Sequence, residues 1–286
     1  MKQKVSDYIA EYIAQWGIRD VFTVTGGGAM HMNDAFGHHK MLHCTYQHHE
    51  QACAMAAEAY ARLGNKMAAV CVTTGPGATN AITGVLGAWM DSIPMLVFSG
   101  QARYATTVSA SGLPLRSMGV QECNIVPVVK SLTKYAHMIV HPENIRYHLE
   151  KALYLAVNGR PGPVWLDIPL DVQGAVIETD DLKAYDPEEN PEQQPREIKD
   201  ETVEQILDKL QESKRPVLSP GNGVRLAGAH EDFYQLAELL GVPVVTGMSS
   251  VDAIESDHPL FVGRSGGTGT RPGNFALQNS DVLLSL

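Results

Sequence analysis

The first apolar positions of the chain recur at helical spacing. In "MKQKVSDYIAEYIAQWG", Val5, Tyr8, Ile9, Tyr12, Ile13 and Trp16 fall three or four residues apart, which predicts an amphipathic helix facing a core. The period then shortens. "DVFTVTGGGA" is a brief apolar run ended by glycines, and "AMHMNDAFGHH" returns to helix. "LHCTY" reads as a strand, Glu50 opens an alanine-rich helix, and "KMAAVCVTTGPGATN" is a strand passing into a glycine turn. The helix "NAITGVLGAWMDS" and the strand "IPMLVFSG" follow. Strands apolar along their length, alternating with helices, predict an α/β fold with a parallel sheet flanked by helices on both faces. Three strands end at glycines: Gly26–Gly28, Gly75–Gly77 and Gly100. Ligands of such sheets bind beyond the carboxyl ends of the strands, so these turns are expected to meet in one crevice.

From Gln101 the pattern lapses into a long polar loop, "QARYATTVSASGLPLRSMGVQE", a length that usually carries function or disorder. "IVPVVKSLTKYAHMI", the helix "ENIRYHLEKALYLAVNG" and the strand "GPVWLDIP" complete a first domain over 1–177. Residues 178–200 are acidic and proline-rich and read as a linker. A second, Rossmann-like α/β unit over 201–286 begins with a helix and the strand "PVLSPGNG". It continues through "GAHEDFYQLAELLG" and "VPVVTG" and closes with the helix and strand of "NFALQNSDVLLSL". With strands still to be added, this unit is expected to be an incomplete central domain of a longer protein, and a natural split subunit is the alternative.

Composition narrows the classes. A net charge of −10 without a basic run leaves no footprint for nucleic acid or an anionic membrane. The four cysteines, Cys44, Cys53, Cys71 and Cys123, form no C-x-x-C pair and fit reduced thiols in a cytoplasmic protein. The N-terminus has no apolar signal region, and no stretch is long and apolar enough to span a bilayer.

The candidate chemistry lies at the glycine turns. In "TTGPGATN", Gly75 and Gly77 permit close backbone approach and Pro76 fixes its own φ, while Asn80 is expected in the first turn of the next helix. A plain strand-to-helix turn would need only one glycine. The spacing is neither G-x-G-x-x-G nor a Gly-Lys-Ser/Thr loop, which excludes the dinucleotide and Walker phosphate signatures. Glu50 suits the positive end of its helix dipole, and the small surface of Ala52, Ala54, Ala56, Ala57, Ala59 and Ala61 admits a second backbone or a flat ligand. His38, His39, His43, Cys44, His48 and His49 crowd one segment, but no H-x-x-x-H pair falls on a helix as such a zinc site needs, and they read as solvated or core histidines, with no metal ligands assigned. Gly221 and Gly223, after a strand, read either as a turn or as a backbone approach to a nucleotide phosphate.

Taken together, "GGGA", "HHEQACAMAAEAYAR", "TTGPGATN", "DSIPMLVFSGQ", "VQE", "LTKYA" and "GRPGPVWLDIPLDVQ" resemble, in order and spacing, the pyrimidine-binding domain of thiamine-diphosphate enzymes, most of all the acetolactate synthase group. The resemblance is close over 1–175 and looser over 201–286. It implies that Glu50 is the glutamate that meets N1′ of the cofactor's aminopyrimidine. A glutamate buried among alanines loses solvation, which favours sharing a proton with a ring nitrogen. The resemblance further implies that Gly75, Pro76, Gly77, Asn80, Gly26 and Gly27 surround the cofactor and that Gly28 and Gln121 lie near the reacting carbon. Gly221 and Gly223 would meet FAD. The reaction implied is decarboxylation of a 2-keto acid such as pyruvate and transfer of the remaining acyl unit to a carbonyl acceptor. In acetolactate synthases this serves branched-chain amino acid biosynthesis. A simple decarboxylase, a C–C hydrolase, an acyl transferase to a keto-sugar and a non-catalytic subunit are the alternatives, the last disfavoured by Glu50. The family holds diphosphate and Mg²⁺ through a Gly-Asp-Gly motif in a C-terminal domain. No Gly-Asp-Gly occurs here, so that domain is expected from the same chain or a separate subunit, the enzyme is expected to be a homodimer or tetramer, and this chain alone is expected to be inactive.

Three features depart from the acetolactate synthase pattern. Val120-Gln121-Glu122 replaces the usual Phe-Gln-Glu, Leu170 stands where a lysine is frequent, and the 101–121 loop is longer and carries Arg103, Tyr104, Thr106, Thr107, Ser109 and Ser111. Losing a ring and a cation while gaining hydroxyls favours a larger, polar, uncharged acceptor, such as a keto-sugar, over a second pyruvate carboxylate. Arg103 or Arg116 holding the carboxylate of a second keto acid is the competing reading.

Overall fold

The computed structural model describes residues 1–194 and 197–286. The chain divides into two compact units, Met1–Pro195 and Arg196–Leu286.

In the first unit Lys2–Lys4 (β1) is followed by Asp20–Thr23 (β2), His43–Tyr46 (β3), Ala69–Val72 (β4), Met95–Gln101 (β5), Tyr135–Met138 (β6), Pro163–Pro169 (β7) and Val176–Glu178 (β8). Six of these form a sheet in the order β3-β2-β4-β5-β7-β6, every pairing parallel. The expected α/β class is therefore the observed one. β4, β5 and β7 are buried at every residue, as helices on both faces require. β3 is an edge strand, and its His43 and Tyr46 are exposed. A small antiparallel pair, β1 with β8, ties the two ends of this unit together and was not evident from the periodicity.

The first helix, Val5–Trp16, buries Val5, Ile9 and Ile13 as its stripe predicts, but Trp16 at its last turn remains 41% exposed. Gly17 ends the helix at φ 114, a left-handed conformation that glycine adopts without strain.

Residues 178–194, expected as linker, pack on the first unit. Leu182 and Tyr185 are buried, Tyr147 Oη donates to Glu189 Oε2 at 2.5 Å, and Lys134 Nζ donates to Gln193 Oε1 at 2.9 Å. Acidic, proline-rich composition reports solvation, and here a few apolar and aromatic side chains outweigh it. Pro195 and Arg196, also within the expected linker, lie outside the described residues.

The second unit holds Pro216–Ser219 (β9), Val244–Thr246 (β10), Phe261–Arg264 (β11) and Val282–Ser285 (β12) in the parallel order β11-β10-β9-β12. β11 was not among the expected strands. Leu218, Phe233, Ala237, Val244 and Ile254 form the core. The Asp200–Glu212 helix contains no buried residue, and its apolar Val203 and Leu207 are each 43% exposed. No helix among the described residues is long and apolar enough to cross a membrane.

Candidate active site

Parallel β2, β4 and β5 deliver their carboxyl ends to the same side of the sheet, and the glycine turns that follow them interlock. The Gly28 N–H donates to Thr73 Oγ1 and Thr74 Oγ1 donates to the Gly100 carbonyl, both at 3.0 Å. A methyl group on Gly26 or Gly28 would collide with Thr73 or Thr74, and one on Gly100 with the Gly28 carbonyl. Gln173 Nε2, from the far end of this unit, donates to that same Gly28 carbonyl at 2.7 Å. Asn33 Oδ1 accepts from the Gly26 N–H at 3.2 Å. The three turns thus meet, as the expected crevice requires, and Gly27 has open space where a side chain would be.

The Gly-Pro-Gly turn forms one wall. Gly75 adopts φ 60, and a methyl there would strike the Gln121 backbone carbonyl. Gln121 itself holds φ 58, uncommon for a residue with a side chain. Pro76 starts a short helix, Pro76–Asn80, so Asn80 closes that helix rather than opening the longer Ile82–Met90 one. Gly77 lies so near the helix of Glu50 that an added methyl would sit 3.3 Å from Glu50 Oε1.

Glu50 is the first residue of the Glu50–Gly64 helix, where an anion faces the positive dipole end. His49 caps the helix, its Nδ1 accepting from the Gln51 N–H at 3.1 Å. The carboxylate is half-buried rather than enclosed by alanines. The small residues of this helix serve another backbone: a methyl on Gly84 of the neighbouring helix would lie 2.5 Å from Ala54 Cβ. Asn80 Nδ2 donates to Glu50 Oε2 at 2.9 Å. Among the described residues no hydrogen bond reaches Oε1, which leaves it free to share a proton with a ligand nitrogen.

Behind the crevice runs a buried polar chain that the periodicity does not single out. Trp165 Nε1 donates to Ser99 Oγ at 2.8 Å, Ser99 Oγ to Asp167 Oδ1 at 2.6 Å, and Gln101 Nε2 to Asp167 Oδ2 at 3.0 Å. Burial pushes the Asp167 carboxyl up to about 7, against the pull of the Ser99 and Gln101 hydrogen bonds. Gln101 Nε2 also donates to the Cys123 carbonyl at 2.7 Å, which anchors the loop carrying Gln121. An aspartate inside a strand read as buried throughout is the sequence signal for this chain.

Glu122 organises that loop. Its Oε1 accepts from the Val108 N–H at 2.7 Å, and its Oε2 accepts from the Met118 and Gly119 N–H groups at 2.8 and 3.0 Å. Burial pushes this carboxyl up, but the three N–H groups outweigh it and hold it below its ordinary value.

In the second unit Gly221 precedes a short helix, Asn222–Leu226, and its N–H donates to the Leu286 carbonyl at 2.7 Å, so that donor is not offered to a phosphate. Gly223 faces open space, and Gly221, Asn222, Arg225 and Ser250 line a small cavity of about 10 Å³.

Of the crowded histidines, His38, His39 and His43 lie beside Asp34, Glu11 and Asp20. Among the described residues no three His, Cys, Asp or Glu side chains gather as a metal site. The four cysteines are free thiols.

Residues 3–123 match the thiamine pyrophosphate enzyme N-terminal TPP binding domain, and residues 203–286 match the central domain of the same enzymes. The chain belongs to the thiamine pyrophosphate enzymes. Thiamine pyrophosphate is the thiamine diphosphate named above. Relatives include acetolactate synthase 2, chloroplastic, of Zea mays, 34% identical over 99% of this chain and 43% of that protein. The acetolactate synthase large subunits of Lactococcus lactis and Corynebacterium glutamicum are 32% and 35% identical over 98% and 93% of the chain, covering 47% and 41% of those proteins. The chain spans less than half the length of these relatives. The N-terminal domain of this family is thus the unit with the glycine crevice, and its residues suit an aminopyrimidine. A carboxylate oxygen without a partner, a carboxamide beside it and side-chain-free backbone at Gly27 present hydrogen-bonding groups to a flat polar ring.

Proposed function

We propose that this chain supplies the pyrimidine-binding half of a thiamine-diphosphate-dependent carboligase of acetolactate synthase type, with a 2-keto acid such as pyruvate as donor. The observation that supports it is Glu50 at a helix mouth, one oxygen held by Asn80 and the other open to the glycine crevice. When bound, the cofactor supplies the electron sink that makes decarboxylation and acyl transfer accessible. The protein's part is positional and protonic. Glu50 holds or releases a proton at Oε1, and Asn80 fixes the plane of the carboxylate. Gly75, Pro76 and Gly77 bring backbone against the ring, and Gly26 and Gly27 line the opposite wall. Gly28 and Gln121 stand at the end of the crevice where a substrate carbonyl approaches.

In this reading the diphosphate and its Mg²⁺ are held by a further domain, in the same polypeptide or in another subunit, and the assembly is a homodimer or tetramer in the cytoplasm. Of the loop hydroxyls, Thr106, Thr107 and Ser111 donate to the Arg103, Tyr104 and Val108 carbonyls, and Ser109 is the one that favours a polar carbonyl acceptor, such as a keto-sugar, over a second pyruvate.

The test is product analysis of the enzyme that contains this chain together with a diphosphate-binding domain. Pyruvate is fed alone and then with ketone or sugar acceptors. Carbon dioxide release coupled to a new C–C bond on the acceptor supports the proposal. Rapid acetolactate formation undiminished by competing acceptors restores the pyruvate-pyruvate reaction, and acetaldehyde as sole product makes the enzyme a decarboxylase. The isolated chain should bind thiamine diphosphate weakly by calorimetry, with no response to Mg²⁺.

A further inference from the structure

The 101–124 loop encloses a cavity of about 250 Å³ lined by Gln101, Thr107, Ser109, Arg116, Glu122 and Asn124, with Met138 at its apolar side. It adjoins the crevice, because Glu122 follows Gln121, whose carbonyl abuts Gly75.

The polar side chains around it divide into two sets. Gln101 is bound to Asp167 and Cys123, Thr107 Oγ1 donates to the Tyr104 carbonyl while accepting from the Ala110 N–H, and Glu122 accepts three backbone N–H groups. These residues build the wall and are spoken for. Ser109, Arg116 and Asn124 make no side-chain hydrogen bond or ion pair among the described residues. Asn124 stands at the N-terminal cap of the Ile125–Val129 helix yet forms no capping bond. All three residues are exposed, and together they offer complementary chemistry along one cavity. The guanidinium donates a planar fork, the hydroxyl both donates and accepts, and the carboxamide offers both again.

Charge decides the ligand class. The Glu122 carboxylate is already engaged by three backbone N–H groups, and Arg116 is the cation on the cavity lining. A guanidinium fork matches a carboxylate or phosphate. A liquid water occupies about 30 Å³, so the cavity takes the oxyanion with part of the chain that bears it, and Ser109 and Asn124 suit hydroxyls on that chain.

We propose that Ser109, Arg116 and Asn124 bind the oxyanion head, a carboxylate or phosphate, of a hydroxylated carbonyl acceptor, whose carbonyl then points toward Gln121 and the crevice. This rests on the carboligase reading and gives its acceptor a charge. The head is held away from the reacting carbon, so the loop selects acceptors by their far end.

Binding is measured on the 286-residue chain by titration calorimetry and ligand-observed NMR, which need no turnover. The probes are ribulose 5-phosphate, 2-ketogluconate, uncharged ribulose and pyruvate. We expect one or both charged hydroxylated probes to bind more tightly than ribulose and pyruvate, and their ranking tells phosphate from carboxylate. Arg116→Gln should weaken the preferred probe about ten- to hundredfold, Ser109→Ala and Asn124→Ala by less, and Arg160→Gln not at all. Because Arg116 is exposed and without a partner, its replacement leaves the fold intact. Equal affinity for charged and uncharged ketoses, pyruvate binding as tightly as the larger probes, or affinity unchanged in Arg116→Gln would overturn the inference. If binding depends on Arg116 but the complete enzyme forms no C–C bond, the carboligase reading fails and this site stands. If carboligation proceeds while binding ignores Arg116, the site fails and the reaction stands.

Discussion

Asn80 Nδ2 donates to Glu50 Oε2 at 2.9 Å, so the carboxylate at the mouth of the alanine-rich helix is held in one plane with its second oxygen open. The two residues come from different helices, and a methyl added at Gly77 would meet both Thr73 and Glu50 Oε1. Replacing Glu50 by glutamine removes the proton-exchanging group and keeps the shape. In the complete enzyme this should lower turnover by about 10²–10⁴ with little change in melting temperature. Hydrogen–deuterium exchange at the cofactor's C2 carbon reports the same step, and a wild-type exchange rate in the variant would remove Glu50 from the mechanism. Asn80→Ala should cost about tenfold, as expected for a lost hydrogen bond to a charged group.

The contact of Gly100 with the Gly28 carbonyl makes position 100 intolerant of any side chain. Gly100→Ala should destabilise the first unit by about 1–3 kcal/mol or more, because backbone rather than a flexible side chain must move. Gly27→Ala, with open space around it, should stay within about 0.5 kcal/mol of wild type. Urea midpoints of the two variants check the contrast, and equal midpoints would show that the turns do not interlock.

Asp167 makes stability fall as pH rises through the weakly acidic range. Its folded carboxyl is pushed by burial to about 7, above the ordinary 3.8. Below the ordinary value both folded and unfolded chains hold the proton and the contribution is complete. Above it the unfolded chain ionises first, so this contribution is lost progressively until about pH 7 and then levels off. Asp167→Asn has no proton to lose. Relative to wild type, its denaturation midpoint should rise between pH 4 and 8, and parallel profiles would contradict the assignment.

Glu122 ties Val108, Met118 and Gly119 to one carboxylate. In Glu122→Gln one acceptor oxygen becomes an amide donor facing backbone N–H groups. Amide hydrogen exchange at Val108, Met118 and Gly119 should then accelerate at least tenfold while β5 and β7 stay protected. Unchanged exchange in the loop would mean that its shape comes from elsewhere.

Much of this was legible along the chain because it depends on near neighbours. The stripe of Val5, Ile9 and Ile13, the wholly apolar β4, β5 and β7 and the glycine stops after β2, β4 and β5 each reflect a local period or backbone freedom. Together these local features determine a parallel α/β unit with glycine turns at the carboxyl ends of its strands, and the placement of Glu50 in the first turn of its helix is equally local. What lies between residues distant in sequence was decided only by the tertiary structure. Trp16 continues the stripe yet is 41% exposed, because the described residues leave the last turn of its helix partly uncovered. Leu182 and Tyr185 sit in a polar stretch yet are buried, since burial depends on the surface a segment meets and not on its average polarity. β11 is short and glycine-containing, and it becomes a strand by pairing with β10. Asn80 meets Glu50, Gln121 meets Gly75 and Glu122 gathers three N–H groups, because the sheet brings the ends of separate strands to one side. Hydrogen bonds and charge pairing act over a few ångströms in space, and a sequence records only distance along the chain.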